Sequence, residues 1–239
     1  MKTIRSLFVL ALVLVLSSGC VVNVQDSVRG DGKVVTQQRD VSEFTGIKVG
    51  SGIDVFLTQG ENQSVEVEAD ENLQEWIRTE VEGSVLHIYT EKVIRLAKTK
   101  KVNITVKTID KIDISSAGDV TGLSKFKTDI LDIDMSSAGD LDFEVEANEI
   151  KLSISSAGDV NLKGRANKLN ANLSSAGDLD AYDLEVKEGN ISVSSAGSAR
   201  VFVTEEASFR CSSAGNISYK GEPRIREINT SSAGSVNKH

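Results

Sequence analysis

The tetrapeptide Ser-Ser-Ala-Gly begins at residues 115, 136, 155, 174, 194, 212 and 231, at intervals of 21, 19, 19, 20, 18 and 19 residues. A near-constant period of this size is the mark of a stacked repeat, and it constrains the fold more than any single residue does. Aligning the copies produces columns. Just before the motif stand Ile114, Met135, Ile154, Leu173, Val193, Cys211 and Thr230; two places earlier stand Ile112, Ile133, Leu152, Ala171, Ile191, Phe209 and Ile228. One residue past the position after the motif come Val120, Leu141, Val160, Leu179, Ala199, Ile217 and Val236. Apolar residues alternate with polar ones on both sides, the period of a strand with one buried face.

Each unit therefore reads as strand, corner, strand, connection. The glycines Gly118, Gly139, Gly158, Gly177, Gly197, Gly215 and Gly234 are expected to give the corner its positive φ, which glycine adopts without steric cost. The expected fold is all-β, a parallel β-helix (β-solenoid) with coils of about 19 residues and rungs about 4.8 Å apart, so seven rungs rise roughly 30 Å. Cys211 falls in an aliphatic column and reads as a small core residue. Toward the end, Thr230 and Lys238 replace apolar residues, which reads as a polar cap on the last coil.

Residues 39–108 are patterned without the motif. "IKVGSGIDVFLTQG" (47–60) alternates on both sides of a Gly-Ser-Gly corner, a looser version of the same unit. "VEVEA" (65–69) and "VLHIY" (85–89) read as strands, and Asp70 is placed to cap a short helix over "ENLQEWIRTE" that buries Leu73, Trp76 and Ile77. Residues 39–110 would thus form the amino-terminal capping part of one domain, 39–239, with the seven repeats in 111–239.

The first residues have a different composition. Lys2 and Arg5 precede the ten-residue apolar run "LFVLALVLVL", which is too short to span a bilayer and suits an export signal. The run ends in "LSSGC", resembling a bacterial lipobox in which Cys20 becomes the lipidated first residue. Residues 1–19 then form a lipoprotein signal peptide, and 20–38 a tether. Loss of Lys2 and Arg5 takes the formal charge from −8 to −10, which argues against nucleic-acid binding.

The succession "DVSEFTGIKVGSGIDVFLTQG", "ENLQEWI", "VLHIY" and then glycine-centred repeats behind a lipoprotein signal resembles the head GIN domain family of autotransporter adhesins, over roughly residues 39–236. The resemblance implies a right-handed β-helix related in shape to pectin lyases, without retained catalytic residues, and a role in cell adhesion. The coiled-coil stalk and membrane barrel of trimeric autotransporters have no counterpart in the sequence, which favours lipid anchoring.

The residues offer few chemical sites. Asp119, Asp140, Asp159 and Asp178 follow successive motifs, then Ser198, Asn216 and Ser235. Stacked about 4.8 Å apart, neighbouring carboxylates repel by about 0.9 kcal/mol in water. Such a ladder either bridges a weakly held cation such as calcium, or consists of turn residues splayed into solvent. The serines lack an evident base, since the chain has only His87 and His239. The run "KVIRLAKTKK" (92–101) carries five positive charges and reads as a solvated loop or as a contact for acidic headgroups or glycans. The expectation is a non-catalytic, lipid-anchored envelope protein of the outer membrane. It needs no cofactor and meets the membrane through its lipid and a glycan or envelope protein through its β-helix. A polysaccharide-active enzyme and an envelope scaffold or sensing module are the competing readings.

Overall fold

The structure is a computed structural model that describes residues 27–239; the signal segment and Cys20 lie outside the described residues. The strands are β1 (Ser27–Arg29), β2 (Val34–Arg39), β3 (Gly46–Val49), β4 (Asp54–Gln59), β5 (Ser64–Asp70), β6 (Ile77–Glu82), β7 (Val85–Thr90), β8 (Val93–Leu96), β9 (Lys100–Val106) and β10 (Lys111–Ile114). They continue as β11 (Asp119–Gly122), β12 (Phe126–Met135), β13 (Asp140–Ile154), β14 (Asp159–Leu173), β15 (Asp178–Val193), β16 (Ser198–Cys211), β17 (Asn216–Lys220), β18 (Arg224–Thr230) and β19 (Ser235–Lys238).

The parallel pairings stack these strands into a β-solenoid. Before the corner, one column runs Ile88, Val49, Ile114, Met135, Ile154, Leu173, Val193, Cys211, Thr230, each in register with the next. After the corner a second column runs Val102, Val55, Val120, Leu141, Val160, Leu179, Ala199, Ile217, Val236. Nine rungs therefore stand among the described residues, two more than the motif copies suggest. Rung two is β3–β4, whose corner is the Gly-Ser-Gly segment. Rung one is β7 and β9, which come later in the chain yet stack outside β3 and β4.

Burial follows the alternation. Leu141, Phe143 and Val145 point inward on one flank of β13, and Ile150, Leu152 and Ile154 on the other, each at most 2% exposed. The phase slips at residues 146–149, where the strand rounds a second bend opposite the motif corner. Phe126 and Phe143 stack with centroids 4.7 Å apart inside a mainly aliphatic core that also holds Phe44 and Phe209. Cys211 is 3% exposed, as its column requires.

The amino-terminal end is closed by antiparallel strands. β6 pairs with β7, β5 with β9, and β2 with β5, while β1 and β8 form a separate parallel pair. Residues 27–38, read from sequence as part of a tether, thus belong largely to the folded body: Val34–Arg39 gain a full ladder along β5. The expected helix after Asp70 is only a 3-10 turn, Glu71–Leu73. Ile77 already belongs to β6, where pairing with β7 competes successfully with helix continuation. Asp70 makes no cap bond there. Its buried carboxylate instead accepts the N–H groups of Gly32 at 2.9 Å, Lys98 at 3.0 Å and Thr99 at 3.3 Å, tying two loops together. Buried Gln74 likewise donates to Val35 and Val67 carbonyls and accepts from Arg39.

Candidate binding surface

The motif corners are built from repeated backbone contacts. The first serine donates its N–H to the carbonyl of the residue that precedes the previous corner: Ser136 to Ile114 at 3.0 Å, Ser155 to Met135 at 2.9 Å, Ser194 to Leu173 at 2.8 Å. The hydroxyls of Ser155, Ser174 and Ser194 donate to the same class of carbonyl at 3.3–3.4 Å. These serines are rung-to-rung ties. Their chemistry is spent on backbone, and neither histidine serves them: His87 faces Glu82 at 3.8 Å and His239 stacks on Tyr182 at 5.9 Å.

The corner dihedrals differ from the sequence expectation. None of the seven motif glycines has positive φ. The left-handed residues are Ser116 (54°), Ala117 (58°), Ser195 (70°), Ser213 (56°), Ala214 (65°), Ser232 (49°) and Ala233 (63°). Glycine is needed for close approach instead. A Cβ on Gly139 would lie 2.3 Å from the Gly118 carbonyl oxygen, and one on Gly158 would lie 2.7 Å from that of Gly139. The Gly139 and Gly158 carbonyls in turn accept the following rung's N–H, from Asp159 and Asp178 respectively. Positive-φ glycines do occur at the opposite bend, at Gly164 (112°) and Gly221 (101°). Each motif alanine stands exposed at the corner tip.

Beside the corners runs the carboxylate column. Asp54, Asp119, Asp140, Asp159 and Asp178 are related rung by rung, one member more than the sequence alignment identifies, and Ser198, Asn216 and Ser235 continue the line. Asp119, Asp140, Asp159 and Asp178, with the residues two places on, Thr121, Asp142, Asn161 and Asp180, line a shallow open groove along the stack. Lys163 pairs with Asp142 and Arg200 with Asp180 at the groove's margin. The first column has no ion-pair partner among the described residues. Asp119 accepts the Asp140 N–H at 3.0 Å. Partial burial, then the neighbouring Asp119 and Asp159 charges, hold the Asp140 carboxyl above its ordinary value of 3.8. Among the described residues, no three His, Cys, Asp or Glu side chains converge on one metal-sized point.

The opposite bend is electrostatically the reverse. Glu146 meets Lys125, Lys127 and Arg165 at 3.4–3.6 Å, and Lys125 also meets Glu144 at 3.1 Å. A hydrogen bond from Lys127 lowers the Glu146 carboxyl below its ordinary 4.5. Charges there neutralise one another along the stack, whereas the column beside the motif is left acidic.

The basic run is β8 and the start of β9 rather than a free loop. Val93–Leu96 form β8; Lys92 lies 3.8 Å over the Trp76 ring, and Lys100 donates to the Ser51 carbonyl at 3.2 Å. Burial lowers the Lys100 ammonium from its ordinary 10.5. Arg95 and Lys98 remain exposed.

Solved structures share this architecture. A "putative adhesin" from Bacteroides fragilis superposes with a TM-score of 0.82 at 24% identity, covering 89% of this chain and 100% of that one. A "putative adhesin" from Parabacteroides distasonis gives 0.70 at 25% identity, with 90% and 100% covered. A "putative lipid binding protein" from the same species gives 0.75 at 21% identity, with 89% and 99% covered. Comparison with curated proteins finds no match. The family model described as "Putative auto-transporter adhesin, head GIN domain" matches residues 43–223, from the start of rung two through rung eight. By that match, the chain belongs to the head GIN domain family of adhesins.

Proposed function

We propose that the protein is a non-catalytic, lipid-anchored adhesion module of the outer membrane that holds an envelope or surface glycan along its acidic groove. The observation that carries this reading is the in-register run Asp119, Asp140, Asp159 and Asp178, which makes no ion pair among the described residues, on a molecule whose opposite bend is charge-paired. A like-charged ladder costs stability, so its presence beside a groove favours a ligand-binding role over a folding one. Carboxylates with Asn161 and Thr121 accept and donate hydrogen bonds to hydroxyls. A ligand with its own short repeat meets the same contacts on several rungs, which gives avidity from individually weak bonds. The hydroxyls of Ser155, Ser174 and Ser194 donate to backbone carbonyls rather than to a base, and the family's adhesin description accords with binding.

Two measurements test the two halves of the proposal. The full chain bearing Asp119→Asn, Asp140→Asn, Asp159→Asn and Asp178→Asn should lose retention on immobilised envelope polysaccharides, with no turnover of those glycans by either form. Unchanged retention removes the groove from the reading, and capture of an envelope protein by crosslinking in intact cells would replace the glycan with a protein partner. Cys20→Ala should abolish fatty-acid labelling and membrane association; labelling that persists in this variant overturns the anchor.

A further inference from the structure

The two ends of the stack are finished differently. At rung one, β7 and β9 are covered by antiparallel β6 and β5. At rung nine, among the described residues, β18 pairs only with β16 and β19 only with β17, so their outer edges face solvent. Thr230 and Lys238 do fall in the core columns there, yet they do not close the end. Ile225 and Ile228 are 37% and 48% exposed, while their partners one rung inward, Ala207 and Phe209, are 1% and 0% exposed. An open edge with unpaired backbone groups beside an apolar interior is a template for another strand.

β18 carries one irregularity. Its register against β16 runs Ala207 to Ile225, Ser208 to Glu227 and Phe209 to Ile228, so Arg226 is an extra residue. Because of that bulge, Ile225 and Ile228 both lie over core positions although they are three residues apart. Arg226 and Glu227 between them point outward, where they meet Glu206 and Arg210. The segment Ile-Arg-Glu-Ile is thus symmetric in polarity and antisymmetric in charge. Laid antiparallel against itself, it sets isoleucine against isoleucine and arginine against glutamate. The bulge mismatches β16 but matches its own copy, because each strand has two residues between the isoleucines.

We propose that β18 is a self-pairing edge. Two copies of this chain join tail to tail about a twofold axis, with Ile225 against the partner's Ile228 and Arg226 against the partner's Glu227. The contact is isologous and closes at two copies because the twofold uses the β18 edge of both; among the described residues, the singly paired strands at the other end, β2 and β6, do not carry the Ile-Arg-Glu-Ile pattern. It covers the four exposed isoleucines and extends the existing Arg226–Glu206 and Glu227–Arg210 contacts into one alternating network. This pairing stands independently of the glycan groove, which lies beside the motif corners of the earlier rungs.

Sedimentation of the full chain in mild detergent tests it. The wild-type chain should dimerise reversibly, whereas Arg226→Glu and Glu227→Arg, each alone, should weaken the dimer by about tenfold or more through like charges across the axis. Mixing these two variants should restore dimerisation as a heterodimer, because the mixed pair again sets opposite charges against each other. This rescue cannot arise from misfolding, and matched thermal melts of the two variants check the fold directly. A wild-type chain that stays monomeric overturns the proposal, as do a dimer indifferent to both variants, an open-ended polymer, or a mixture that remains monomeric.

Discussion

Gly139 faces the Gly118 carbonyl so closely that a methyl group there would sit 2.3 Å from the oxygen, with the Ile114 side chain at 2.9 Å on another side. Neither neighbour can withdraw easily, because the carbonyl belongs to the preceding corner's backbone. Gly139→Ala should therefore cost about 1–3 kcal/mol by overpacking, measurable as a lower urea midpoint. At Ala117 the relation is inverted. Its φ of 58° is left-handed and its side chain is exposed, so Ala117→Gly should stabilise by up to about 1 kcal/mol. A neutral Gly139→Ala would remove close approach as the reason for glycine here, and a destabilising Ala117→Gly would show that the left-handed φ of Ala117 carries no strain. The repeat made the need for a small residue legible, but not its cause. Positive φ and close approach both select glycine, and only the stacking distance between corners separates them.

Among elements, the carboxylate column has a pH signature of its own. The Asp140 carboxyl is raised above 3.8 by burial and by Asp119 and Asp159, so its ionised form is disfavoured in the fold relative to the unfolded chain. The resulting penalty is complete above the raised value and vanishes as pH falls below 3.8. Asp140→Asn should raise the melting temperature at neutral pH, by an amount bounded by about 1 kcal/mol per neighbouring pair and reduced by salt. Its advantage over the wild-type chain should shrink as pH falls through that window. An advantage that stays constant with pH and salt would dissociate it from charge. Four members of the column were legible because each follows a motif. Asp54 was not, because Ile53, fully buried, occupies the place the motif gives to glycine; the shared "DV" of Asp54-Val55 and Asp119-Val120 was the available signal. The missed strand at Ile77 has a similar origin. Leu73, Trp76 and Ile77 have helical spacing, but Ile77, Thr79 and Val81 also alternate, and pairing with Thr90, Ile88 and Leu86 decides between the two.

At the scale of the molecule, the stack was readable from the period, while the order of its first two rungs was not. Nothing local tells β7 and β9 to stack outside β3 and β4; that placement follows from antiparallel β5 and β6 closing the end. A solenoid in which each rung touches only its neighbours opens from its weakest end. That end is rung nine, where Ile225 and Ile228 remain exposed and one edge of each strand is unpaired, whereas the inner residues of β13 to β15 are almost wholly buried. Amide hydrogen exchange on dilute protein should therefore be fastest in β18 and β19, slowest in β13 to β15, and well protected in β5 and β9 despite their position near the other end. Uniform protection along the chain would mean that the rungs open together as one unit. Raising the protein concentration should then slow exchange in residues 224–230 while leaving 34–39, a strand also paired on one side only, unchanged, because tail-to-tail pairing covers the β18 edge and not the β2 edge.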